Sequence, residues 1–200
     1  MRKKKCVCLA LALVLVMAIA APSALASQQT PSPYPNTDVV ITKVKMPDLT
    51  GFPIDHDGNQ ITDAEWNAIF GDNSGRISNI TFTYWSVSEA DYNTMVAAPG
   101  SYQTVEEVKA LIGESEEGVV TAATNANGEV TIPAMAPGYY WFIENTPTTI
   151  TESAAVPFGV ALPVGDNDPV TGLNGFKRTL YVYPKTLKPA HRKSKKMSPR

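Results

Sequence analysis

Apolar and polar residues alternate over several short runs of the chain, as in strands that bury one face. β-branched and aromatic residues, which strands favour, are concentrated in these runs. Turn-forming residues separate the runs, so a mostly β fold is predicted. The predicted strands cover residues 39–45, 80–87, 119–123, 129–132, 138–144, 156–162 and 179–183.

Two short helices are predicted in the connections between strands. In each, a threonine is followed three residues later by a glutamate, which is the spacing of a capping box. The pairs are Thr62 with Glu65 and Thr104 with Glu107. Apolar residues then recur at helical spacing, and a glycine follows that would end the helix.

The turn at Asn127-Gly128 is a strong hairpin signal, and it predicts that residues 119–123 pair with residues 129–132. About seven short strands separated by turns are typical of a β-sandwich of the immunoglobulin-like class. We therefore predict one sandwich domain over residues 38–186, with the two short helices in connecting loops.

Residues 1–26 have the three parts of a secretory signal peptide. A basic head and an apolar core precede small residues, and cleavage is expected between Ala26 and Ser27. A membrane anchor is the alternative, but the apolar run is short for a bilayer span. Both cysteines, Cys6 and Cys8, would leave with this segment. The exported domain would then be held by packing, a metal or a crosslink other than a disulfide.

Charge is unevenly distributed along the chain. Residues 27–186 hold all 19 acidic residues against seven basic ones, a formal charge of −12 that argues against nucleic acid as a partner. Within this stretch, residues 27–37 are polar and proline-containing, and a flexible linker is expected there. Residues 187–200 carry six basic residues and no acidic one. We interpret them as a disordered tail that ends a truncated or frame-shifted product. An arm that contacts anionic wall polymers is the alternative.

The last predicted strand ends in Tyr183-Pro184-Lys185. Proline removes a backbone donor, so the strand pairing should loosen there and leave the lysine accessible. An amine attacks an acyl group only when it is deprotonated, and an apolar setting favours that form. Lys185 is thus a candidate nucleophile, and a surface lysine that merely ends a strand is the alternative.

A single carboxylate lies in the aromatic strand 138–144. Alternation places Tyr140, Phe142 and Glu144 on one face of that strand. The functional interpretation is an acid held among aromatic rings, and the alternative is a glutamate that ends the strand in solvent.

These two segments resemble the E box and the pilin motif of Gram-positive sortase-assembled pilins. The resemblance covers roughly residues 38–186 and includes residues 124–130, Pro137-Gly138-Tyr139-Tyr140 and the apolar run 155–163. It implies a Cna B-type sandwich and a structural, non-enzymatic subunit of a covalent pilus on the cell wall of a Gram-positive bacterium. A class C sortase would cleave the sorting signal of one subunit and hold it as a thioester. Lys185 of the next subunit would then attack it.

The resemblance also implies an internal crosslink. In the family, the E-box acid, here Glu144, assists the attack of a first-strand lysine on an asparagine. Lys43 matches that lysine, with Lys45 as second choice. The asparagine commonly follows the pilin-motif lysine directly, and Thr186, which has no amide to transfer, stands there instead. The internal bond is therefore an open question in this chain.

Two other functional classes are alternatives for this chain. A minor pilin or adhesin that binds a host ligand through its loops would be favoured by an exposed aromatic patch around Trp85. An enzyme is disfavoured because no acid–base cluster accompanies Glu144. No cofactor is expected, and with one histidine in the body of the chain, His56, no metal ligand set is expected either.

Overall fold

The computed structural model describes residues 34–45, 56–72, 74–145, 155–167 and 174–184. The predicted signal peptide, its cleavage site at Ala26 and Ser27, Lys185 and the basic tail lie outside the described residues. The strands are β1 (Thr37–Thr42), β2 (Val44–Lys45), β3 (Gly75–Arg76), β4 (Thr81–Val87), β5 (Val119–Val120), β6 (Glu129–Met135), β7 (Gly138–Asn145), β8 (Phe158–Leu162), β9 (Gly165–Asn167), β10 (Asn174–Phe176) and β11 (Thr179–Val182). The α-helices are α1 (Asp63–Phe70), α2 (Glu89–Ala97) and α3 (Val105–Ile112).

Two main sheets contain seven of these strands. The first has the order β11-β1-β6, and the second has the order β5-β4-β7-β8. Within the first sheet β1 pairs with β11 in parallel and with β6 antiparallel. All pairs of the second sheet are antiparallel. The short pairs β2–β3 and β9–β10 form two small additional sheets.

The main core lies between the two sheets. Val39 and Ile41 from β1 are fully buried, and Phe82 from β4 and Phe142 from β7 meet them from the opposite sheet. The alternation seen in the sequence thus turns one face of each sheet inward. The predicted β-sandwich is confirmed.

A second cluster lies on the other face of the four-stranded sheet. Trp85 and Trp141 contact Met95 of α2 and Val108 of α3 there. The alternation along β4 and β7 sends tryptophans to this face while phenylalanines fill the main core. Because one sheet face is already occupied, the helices cover the other one and the sheet is buried on both sides.

The two capping boxes predicted from sequence are both formed. Thr62 and Glu65 cap α1, and Thr104 and Glu107 cap α3. Helix α2 was not predicted. It buries only Met95, so its sequence lacks the apolar stripe that identified the other two helices.

The predicted hairpin between 119–123 and 129–132 is wrong. The turn itself forms, with the Gly128 N–H donating to the Asn125 carbonyl. However, β5 pairs with β4, and β6 pairs with β1 in the other sheet. Burial accounts for the difference, because Val130 and Ile132 of β6 face the main core whereas β5 is exposed. Within the described part of the chain, no helix is long and apolar enough to cross a membrane.

Candidate functional site

The end of β11 is held at the margin of the first sheet. Leu180 is buried in the main core, and the strand pairs with β1 on one side only. On the other side the Tyr181 N–H donates to the Gly58 carbonyl at 3.0 Å. Pairing stops after Val182, as expected when a proline follows at 184.

Tyr183 anchors the chain beyond the strand. Its hydroxyl accepts a hydrogen bond from the Ile61 N–H at 2.8 Å. Its ring meets His56 edge-on at 5.1 Å and packs beside Phe70 at 5.6 Å. Burial raises the pKa of this hydroxyl, and the Ile61 N–H lowers it by a smaller amount. Tyr183 is half-buried and Pro184 is buried, so the two residues that precede Lys185 are fixed to the domain.

A largely apolar groove of about 490 Å³ runs beside this segment. Strand β8 forms one side and β11 the other, and these are edge strands of the two main sheets. The groove reaches the pilin-motif candidate, because Tyr183 and Pro184 line it. Other lining residues are His56, Gly58, Phe158 and Val160.

The structure brings Lys43 and Glu144 together inside the sandwich. The Lys43 ammonium lies 2.6 Å from Glu144 Oε2, and each side chain is 1% exposed. Glu144 Oε2 also accepts the Ala155 N–H at 2.7 Å. The interpretation that Glu144 ends its strand in solvent is therefore wrong. Lys45, the second choice for the internal lysine, is exposed at the end of β2.

Lys43 shares the inward face of Val39 and Ile41, although the first strand is interrupted at this residue. Strand β1 ends at Thr42 and β2 begins at Val44. At Lys43 the backbone N–H donates to the Gly128 carbonyl and its own carbonyl accepts the Ile77 N–H. These two hydrogen bonds hold the backbone across the interruption, so the alternation that buries Val39 and Ile41 also turns the Lys43 side chain inward.

A second buried lysine, Lys177, was missed by the sequence analysis. It is 6% exposed, and its ammonium donates to Asn59 Oδ1 at 2.6 Å and to Asp166 Oδ1 at 2.9 Å. Neighbouring Asp57 has a pKa below its usual range, chiefly because it accepts the Asn59 N–H. No local motif marks Lys177, because its partners come from distant parts of the sequence.

Trp85 is 3% exposed and belongs to the helical cluster. The exposed patch that would favour an adhesin is therefore not formed by Trp85. Among the described residues, no group of three or more His, Cys, Asp or Glu side chains is arranged to hold a metal ion.

The chain matches one family model and is similar to several solved structures. Residues 35–186 match the model of the Gram-positive pilin subunit D1, N-terminal domain. No curated protein is significantly similar to the chain.

Similar solved structures include the N-terminal domain of the shaft pilin SpaA from Lactobacillus rhamnosus GG. It is 22% identical, with a TM-score of 0.45, over 76% of this chain and 94% of that one. The longer SpaA structure is 23% identical, with a TM-score of 0.44 and coverages of 78% and 52%. The full-length major pilin SpaD of Corynebacterium diphtheriae is 16% identical, with a TM-score of 0.45 and coverages of 76% and 32%. The chain thus spans about half of one longer pilin and about a third of the other.

Proposed function

The chain belongs to the family of Gram-positive pilin N-terminal D1 domains, and from this premise we propose that it is a structural subunit of a covalent surface pilus. The Lys185 amine is the acceptor for the sorting signal of the next subunit. The observation that carries this proposal is the anchoring of Tyr183 and Pro184 beside the groove between β8 and β11. It fixes the backbone that leads directly into Lys185.

The proposed reaction is an acyl transfer. A class C sortase cleaves the sorting signal and holds the new carboxyl end as a thioester. The neutral Lys185 amine attacks the thioester carbon, a carbon–nitrogen bond forms and the carbon–sulfur bond breaks. The sulfur leaves as a thiolate, and the proton that the amine loses returns to the enzyme or to water. The domain supplies the nucleophile and its position, while the sortase supplies the catalytic groups.

The family assignment also supports export and surface location. Residues 1–26 would act as the signal peptide, with cleavage after Ala26. The predicted linker would end one residue earlier than expected from the sequence, because β1 already begins at the buried Thr37. The partners on this proposal are the sortase and other pilin subunits on a Gram-positive cell wall.

The Lys43–Glu144 pair is the candidate for the internal crosslink. The carboxylate lies at hydrogen-bonding distance from the amine, so proton exchange between them needs no rearrangement. If an asparagine supplies the acyl group, amide formation releases one molecule of ammonia. Thr186 stands in the usual asparagine position and has no amide to transfer. If no other asparagine supplies the acyl group, Lys43 and Glu144 remain an ion pair, and their role is to stabilise the domain. An intact mass of the secreted protein separates these cases, because only the crosslinked form is lighter than its sequence by one ammonia.

The test of the acceptor role is incubation with a class C sortase and a sorting-signal peptide. We expect one adduct, mapped to Lys185 by peptide mass spectrometry and lost in Lys185→Ala. Lys45→Ala is the matched control, because Lys45 is an exposed lysine at the end of β2, and this variant should be labelled like the wild type. Labelling that persists in Lys185→Ala, or its absence from the wild type, would refute the proposal.

A further inference from the structure

Residues 56–61, which we call the strap, form part of the groove wall beside the proposed acceptor. His56 and Gly58 line the groove together with β11. The strap is held to β11 by a hydrogen bond from the Tyr181 N–H to the Gly58 carbonyl. It is held to the residue after β11 by a hydrogen bond from the Ile61 N–H to the Tyr183 hydroxyl. Movement of the strap would thus disturb the pilin-motif tyrosine directly.

Close packing fixes where the strap can lie. Gly58 is buried with φ of +78°, and a Cβ added there would come within 2.4 Å of Leu180 Cδ1. The same position is 3.5 Å from the Lys177 methylenes. The strap backbone therefore lies directly on β11 and on the aliphatic part of Lys177, with no room for a side chain between them.

The Lys177 ammonium joins the strap to the remainder of the sandwich. Asn59 belongs to the strap, and Asp166 belongs to β9, so the two acceptors come from separate segments. Lys177 is itself fixed at its backbone, because its N–H donates to the Val164 carbonyl and its carbonyl accepts the Thr37 hydroxyl. Charge-assisted hydrogen bonds of this kind are stronger than neutral ones, and a buried ammonium is costly without them.

We propose that Lys177 is a positioning residue for acceptor ligation. By holding the strap against β11 it keeps Tyr183 and the groove wall in place, and thereby presents Lys185 to the loaded sortase. This inference rests on the proposed function, and it adds a residue that does not touch the reacting atoms. Loss of the Lys177 ammonium should therefore raise the KM for the pilin acceptor and leave kcat unchanged, because the reaction at Lys185 is the same once the pilin motif is in place.

The experiment compares Lys177→Met with the wild type. Methionine keeps an unbranched apolar stem and removes the ammonium. We expect hydrogen exchange at the Tyr181 and Ile61 amides to rise on the order of tenfold, as loss of a charge-assisted hydrogen bond of ordinary strength predicts. Core amides of β4 and β7 should exchange faster only by the factor that the fall in global stability accounts for, which urea denaturation of the same variant measures. In steady-state labelling, the KM for the pilin acceptor should rise by a similar factor, with kcat unchanged.

Two further variants and a control complete the design. Asn59→Ala and Asp166→Ala remove the acceptors one at a time at exposed or half-exposed positions, and each should give a smaller change of the same kind. Lys109→Met removes another paired lysine, on α3 and outside the groove lining, and should change neither readout.

The possible outcomes are distinct. If hydrogen exchange at the Tyr181 and Ile61 amides is unchanged in Lys177→Met, Lys177 does not hold the strap against β11. Faster exchange with wild-type KM would refute the positioning role, and so would a fall in kcat alone. A wild-type protein that is not labelled at Lys185 would instead refute the proposed function on which this inference rests.

Discussion

Removing one partner of the Lys43–Glu144 pair should be among the most destabilising single changes in the domain. In Glu144→Ala the Lys43 ammonium would remain in a site where its side chain is 1% exposed. Breaking a buried ion pair in this way costs about 3–5 kcal/mol of unfolding free energy. The Ala155 N–H also loses its acceptor, which adds about 1–3 kcal/mol if it stays buried.

The paired variant separates charge burial from packing. Lys43→Met with Glu144→Leu removes both charges and keeps apolar volume at both positions. Such replacements of a whole buried pair are often neutral or stabilising. We therefore expect the double variant to be more stable than Lys43→Met alone or Glu144→Leu alone. The coupling free energy between the two positions should be about 3 kcal/mol, which is at the upper end for residues in contact.

The assay is equilibrium denaturation by urea, with intact mass measured first to establish whether Lys43 is crosslinked. A loss of about 4 kcal/mol in a domain of this size corresponds to a fall in Tm of roughly 10 °C. The Lys109–Glu117 pair is the control, because its glutamate is 83% exposed, and Glu117→Ala should cost less than about 1 kcal/mol. Single variants that each cost under about 1 kcal/mol, or whose costs simply add in the double variant, would refute the reasoning.

Three smaller predictions concern the groove wall, the anchoring tyrosine and a helix cap. Gly58→Ala should lose about 1–3 kcal/mol in urea denaturation, because the new methyl group meets Leu180. Gly71→Ala has a similar φ of +86° but no atom within 4 Å of its added Cβ, so it should lose less, since only the backbone conformation opposes it. Equal costs would contradict the packing argument. Burial raises the pKa of Tyr183, so its contribution to stability is present below about pH 10 and is lost as the pH rises through the folded-state value. Tyr183→Phe should flatten the alkaline part of the urea midpoint profile, and an unchanged profile would count against this. Thr104→Ala removes the capping box of α3 and should cost about 1 kcal/mol in the same assay; no change would show that the cap is dispensable.

The sequence was informative where local pattern decides structure. Alternation located the strands of both sheets, and the threonine–glutamate spacing located α1 and α3. It failed at the turn of Asn127 and Gly128, because a tight turn does not determine which strands pair on either side of it. There, the burial of Val130 against β1 outweighed the local signal.

The candidate site was predictable in part for the same reason. Glu144 was found because alternation places it on the face of Tyr140 and Phe142, and Lys43 because it resembles a lysine of a known family. Lys177 was missed because its acceptors, Asn59 and Asp166, lie 118 and 11 positions away in sequence. Only the folded arrangement of the strap, β9 and β11 puts them together, and no spacing rule encodes it.

The parallel pairing of β1 with β11 has a consequence for the order of folding. The Thr37 side chain bonds a carbonyl 140 positions later in the chain, so the first strand lacks one neighbour until nearly the whole domain has emerged. Distant pairings of this kind are slow to form, because a long loop must close before any contact is gained. On the export route proposed above, the three-stranded sheet would therefore be completed only after the last strand has crossed the membrane.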